Sequence, residues 1–140
     1  MGKPLILVTN DDGITAPGLR ALISYMKQIG DVVVVAPDSP QSGMGHAITL
    51  DSTLYSKKMK IDLDDANIEE YSCSGTPADC VKLALQVLLK RRPDICVSGI
   101  NHGSNSSINV IYSGTMSAAV EAGIEGIPAI GFSLCDYLLL

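Results

Sequence analysis

Two uninterrupted apolar runs near the N-terminus, Leu5–Val8 and Val32–Ala36, constrain the fold of this chain most. Consecutive apolar residues of strand-forming type, closed by turn residues, read as strands covered on both faces. Between the runs, Leu19, Leu22, Ile23, Met26 and Ile29 recur at helical spacing after Pro17. Gly30 stands where a helix C-terminal cap is expected. Buried strand, amphipathic helix, buried strand is a parallel crossover, and such crossovers are nearly always right-handed. The chain is therefore expected to be an α/β protein built on a parallel sheet.

The remainder extends this pattern. Ser39–Gly45 reads as loop, and Ala47–Leu50 and Leu54–Ile61 as short, partly alternating strands. Asp62–Asn67 is expected to turn and Ile68–Cys73 to form another strand, so this middle reads as an antiparallel extension. Thr76 can cap a helix, Pro77 suits its first position and Asp79 fits the capping-box offset. Ala78–Lys90 is then apolar nearly all round, which predicts a well-buried helix ended by Arg91-Arg92-Pro93. Ile95–Ser98 reads as a third buried strand, and residues 101–107 as a loop. Thr115–Glu125 reads as a helix rich in small residues, closed by Gly126, and Pro128–Ser133 as a fourth buried strand.

Composition removes several function classes. The 140 residues fit one domain, 1–140. With 46% hydrophobic and 18% charged residues, disorder is excluded. A net charge of −5, with no basic run longer than Lys90-Arg91-Arg92, argues against nucleic-acid binding. No apolar stretch approaches the roughly 18 residues a membrane span needs. Cys73, Cys80, Cys96 and Cys135 form no Cys-x-x-Cys pair and sit in apolar surroundings, so buried reduced thiols and a cytoplasmic location are expected.

Parallel α/β sheets bind ligands beyond the carboxyl ends of their strands. The first run ends in Asn10-Asp11-Asp12-Gly13, the second leads to Asp38 and the Ser/Gly loop, and the third ends in Asn101. These donors are nearly all oxygens, which suits a hard divalent cation. Adjacent carboxylates such as Asp11 and Asp12 repel unless a cation lies between them. Ser113-Gly114-Thr115 opens the small-residue helix, where free N–H groups and the helix dipole favour phosphate. His46 and His102 lie in Gly-rich loops within reach of a substrate. Together these features point to metal-assisted phosphate chemistry.

Five ordered motifs carry a resemblance. Val8–Gly13, Ala36-Pro37-Asp38 with Ser42-Gly43 and Gly45-His46, Gly75–Cys80, Ser98–Asn101 and Ser113-Gly114-Thr115 resemble the survival protein SurE family, from about Leu5 to Ser133. The resemblance implies a Rossmann-like three-layer fold with a mostly parallel sheet. It implies a 5′-nucleotidase of the acid-phosphatase type, a phosphoric monoester hydrolase acting on nucleoside 5′-monophosphates, dependent on Mg²⁺ or Mn²⁺ and assembled as a homodimer or homotetramer. By motif match, Asp11, Asp12, Ser42 and Asn101 are the implied metal ligands. Asn105, Ser113, Gly114, Thr115 and His46 are the implied phosphate and substrate contacts. Asp11 and Asn105 are the implied catalytic residues, with Asp11 or a water on the metal as nucleophile or base. Family members are longer, so 1–140 is expected to be the N-terminal part of the design. The alternative is a Mg²⁺-binding phospho-receiver domain, which also places paired acids after its first strand. Against it, the third core strand ends in Asn101 where a phospho-accepting aspartate is wanted.

Overall fold

A computed structural model of the chain describes residues 2–40, 54–61, 68–102 and 114–134. Their elements run β1 (Leu5–Thr9), α1 (Pro17–Met26), β2 (Asp31–Pro37), β3 (Ser56–Met59), β4 (Ile68–Cys73), α2 (Pro77–Leu83), β5 (Ile95–His102), α3 (Gly114–Ile124) and β6 (Ala129–Leu134). The strands form one six-stranded sheet in the order β3-β4-β2-β1-β5-β6. Every neighbouring pair is parallel except β3 with β4.

The apolar runs are continuous because the sheet is covered twice. Leu5 and Leu7 of β1, with Val33 and Val35 of β2, face α2 and α3 in a core that includes Val81, Ala118 and Ala122. The alternating residues Ile6, Val8, Val32 and Val34 face Leu19, Leu22 and Ile23 of α1. Period-two alternation thus sends every second side chain into a different core. The result is the three-layer α/β architecture the sequence led one to expect.

Strand order reverses at β1. The chain moves outward from β1 to β2 and β4, then returns to β5 and continues to β6. With a fixed crossover hand, reversal of direction carries the later helices to the opposite face of the sheet. That is why, among the described helices, α1 lies on one face and α2 and α3 on the other. The crevice at the carboxyl ends of β1 and β5 is a topological switch point.

Several expectations need correction. Helix α1 ends at Met26, not beside Gly30, and Ile29 is 59% exposed. The Ile29 and Gly30 amides both donate to the Met26 carbonyl, and Gly30 lies against the Pro4 carbonyl, so it serves close approach and not capping. β4 belongs to the parallel sheet, and only β3 is an antiparallel addition. The expected strand Ala47–Leu50 and turn Asp62–Asn67 lie outside the described residues. Helix α2 keeps α geometry only to Leu83, then widens into a π turn over Ala84–Leu88, with the Leu89 amide donating to the Ala84 carbonyl. Its apolar outer side is not buried all round, since Val87 is 69% exposed. β5 runs on through Asn101 and His102, which places both in strand and not in loop. β6 lies at the edge of the sheet and is half-exposed, because an apolar run alone does not separate a central strand from an edge strand.

The capping box is present. The Thr76 hydroxyl accepts from the Asp79 amide at 3.2 Å, and the Asp79 carboxylate accepts from the Thr76 amide at 2.9 Å. Both residues are buried, so water cannot replace either bond. Thr76→Ala is expected to destabilise the fold by about 1–2 kcal/mol, read as a lower urea midpoint with an unchanged slope. Cys73, Cys80 and Cys96 are buried free thiols, and burial pushes Cys96 up to about 12, so it stays protonated. Cys135 lies outside the described residues. Among the described residues no helix is long and apolar enough to cross a membrane.

Candidate functional site

The turn after β1 is built by Asn10. Its side-chain amide donates to the Gly13 carbonyl at 2.8 Å, and its carbonyl accepts from the Gly13 amide at 3.2 Å. Gly13 sits at φ +110°, a conformation that disfavours any side chain. This closed loop holds Asp11 and Asp12 at the carboxyl end of the central strand. Asp11 is buried and Asp12 is partly exposed. Burial first, and then the neighbouring Asp12 charge, raise the Asp11 carboxyl above the usual range. Its Oδ1 is buried and has no hydrogen-bond partner.

The N-terminus of α3 lies on this carboxylate. A Cβ at Gly114 would overlap Asp11, standing 2.6 Å from its Cγ. Glycine is required there because a helix start and a carboxylate share the same space. Thr115 is fully buried. The first amides of a helix and the positive end of its dipole favour an anion.

Asn101 arrives from β5. The pairing of β5 with β6 slips between Ser98 and Asn101, and pairing resumes at Asn101 with Ser133. Such an irregularity re-aims side chains at the end of a strand. Asp12 and Asn101 open onto one cavity of about 490 Å³, whose other walls include Ala16, Pro17, Ile100 and Leu134. Gly18 of α1 packs on the Ile100 carbonyl and seats the helix against β5.

Of the expected site residues, the structure brings together Asp11 with Gly114, and Asp12 with Asn101. Thr115 follows Gly114 in the first turn of α3. Ser42, His46, Asn105 and Ser113 lie outside the described residues. Among the described residues no cluster of three or more His, Cys, Asp or Glu could hold an ion. Asp11, Asp12 and Asn101 offer oxygen donors only, a set that suits a hard divalent cation better than zinc. The unpartnered Asp11 Oδ1 is in keeping with such an ion. Sequence reasoning passed over Thr9 and Ser98, buried hydroxyls beneath this site. Their signal was a polar residue closing an otherwise apolar strand.

Comparison with known proteins bears on the family and the fold. Residues 6–138 match the family described as survival protein SurE. The chain is 78% identical over 135 residues to a 5′-nucleotidase SurE of Flavobacterium johnsoniae, covering 96% of this chain and 51% of that protein. It is 75% identical over 137 residues to a 5′-nucleotidase SurE of Christiangramia forsetii, covering 98% of this chain and 52% of that protein. The crystal structure of a SurE protein from Aquifex aeolicus superposes with a TM-score of 0.82 at 42% identity, covering 97% of this chain and 54% of that one. The chain thus spans about half the length of the curated relatives it matches.

Proposed function

Since this chain belongs to the survival protein SurE family, we propose that it is a divalent-metal-dependent phosphomonoesterase acting on nucleoside 5′-monophosphates. The observation that carries the reading is the contact of Gly114, at the start of α3, with the buried and unpartnered carboxylate of Asp11. It sets a cation donor beside an anion-binding helix end, which is what a phosphate ester bridging the two requires.

In this reading Asp11, Asp12 and Asn101, with Ser42, hold Mg²⁺ or Mn²⁺. The ion would supply neutralisation of phosphate charge and acidification of a water. The chain's own groups do the positioning. The first α3 amides, at Gly114 and Thr115, orient phosphate oxygens, and Asn105 and Ser113 extend that contact. Either Asp11 or a water that the ion activates would be the nucleophile or base. His46 contacts substrate. A cytoplasmic homodimer or homotetramer is carried over with the family reading. No observation favours the phospho-receiver alternative, because β5 beside β1 brings Asn101 and not an aspartate.

The test is phosphate release from a panel of nucleoside monophosphates with Mg²⁺ or Mn²⁺, run beside a version extended to the length of its relatives. Release is expected with either metal, lost on adding EDTA and restored by excess Mn²⁺. Turnover unchanged by EDTA would overturn the metal assignment. A stable aspartyl-phosphate formed from acetyl phosphate, without nucleotide hydrolysis, would favour the receiver.

A further inference from the structure

Three hydroxyls beneath the site have no oxygen or nitrogen partner. Thr9, Ser98 and Thr115 are each fully buried, and none of their side-chain oxygens bonds a protein nitrogen or oxygen. Asp11 Oδ1 shares that condition. Thr9 has the Cys80 thiol beside it, a weak partner at best. Buried polar groups are almost always satisfied, so four orphans in one region need a common explanation.

The sheet register brings them together. Thr9 pairs with Ser98 across β1 and β5, so both side chains leave the same face of the sheet. Leu7 and Cys96, one rung earlier on that face, belong to the core under α2 and α3. Ser98 in turn pairs with Gly131 of β6. A Cβ at Gly131 would stand 3.5 Å from the Thr115 methyl, so Thr115 lies over this rung. Gly114, the preceding residue, lies on Asp11. The first turn of α3 therefore lies over the rung of Thr9 and Ser98, with Asp11 at its edge.

We propose that Thr9 and Ser98 are positioning residues for Asp11, acting through a buried water that they hold beneath it. The inference rests on the metal-dependent reading above. A buried water makes about three hydrogen bonds. One water donating to Asp11 Oδ1 and to Thr9, and accepting from Ser98 and Thr115, gives each of the four a partner, while the Thr9 hydroxyl donates to the Cys80 sulfur. Groups that orient a ligating carboxylate in this way tune the metal without touching it, and their loss weakens metal affinity by about 10–100-fold.

The experiment measures Mn²⁺ affinity by titration calorimetry on the chain, beside its thermal unfolding midpoint. Thr9→Val keeps the packing volume and loses the hydroxyl. Thr9→Ser keeps the hydroxyl and loses a methyl. Ser98→Ala removes the second hydroxyl, and Asp11→Asn is the reference that removes the ligand. Thr9→Val and Ser98→Ala are expected to bind Mn²⁺ about 10-fold more weakly at nearly unchanged midpoints. Thr9→Ser is expected to melt lower and to bind within about twofold of the unaltered chain. If Thr9→Val and Ser98→Ala bind normally while Asp11→Asn does not, the positioning role is overturned and the metal site stands. If affinity follows the midpoint, so that Thr9→Ser alone weakens it, the hydroxyls are structural and the proposal falls. If the unaltered chain binds no Mn²⁺, the metal reading falls and takes this one with it.

Discussion

Asp11→Asn is expected to abolish Mn²⁺ binding and to cut phosphate release by roughly a thousandfold or more. An ion bound there contributes several kcal/mol of charge stabilisation, at tenfold per about 1.4 kcal/mol. An asparagine oxygen offers no net charge to hold that ion beside Asp12. The fold should survive, because burial and the Asp12 charge both disfavour the charged form of the Asp11 carboxylate. Removing that charge relieves a penalty, so the metal-free variant should melt no lower than the metal-free parent. Calorimetry and phosphate release check the first part, and thermal unfolding in EDTA checks the second. A variant that keeps near-normal turnover with added Mn²⁺ would remove Asp11 from the centre of the site.

Gly114→Ala is the second large effect, and it separates position from charge. The added Cβ would fall on the Asp11 carboxylate, which is short, buried and anchored two residues from the end of β1. Either the carboxylate swings away or the first turn of α3 backs off, and in both cases cation donor and anion amides lose registration. Metal affinity is expected to drop by about 10–100-fold, with a stability loss of about 1–3 kcal/mol from overpacking. Alanine favours helix over glycine elsewhere, so propensity alone predicts a more stable protein. Calorimetry with Mn²⁺ and urea unfolding decide between the two, and a stabilised variant with normal affinity would dismiss the contact as incidental.

Much of this site was legible along the chain because its parts obey local rules. Asp11 and Asp12 stand out as paired charges after an apolar run, and Thr76-Pro77-Asp79 spells a helix start that the structure reproduces bond for bond. What local rules do not carry is adjacency. Gly114 meets Asp11 only because β5 returns to the far side of β1 and sends α3 over it. Nothing near Gly114 in sequence names its neighbour. The same holds for β6, whose apolar letters resemble those of β1 although one is an edge and the other the centre. The apolar pattern overruns the end of α2, because leucine and valine continue past Leu83 while the backbone widens into a π turn.

The reversal of strand order has a consequence for how the molecule comes into being. Asp11 and Asp12 precede Asn101 by about ninety positions. β5 must dock directly against β1, and α3 must then close over it, before the donors meet. Contacts so distant along the chain carry a large loop-closure entropy and form slowly. In the metal-dependent reading, an ion would find only the Asp11–Asp12 pair while the early strands assemble. It would act as a lock on the finished sheet, slowing its opening, and not as a seed around which the chain collects.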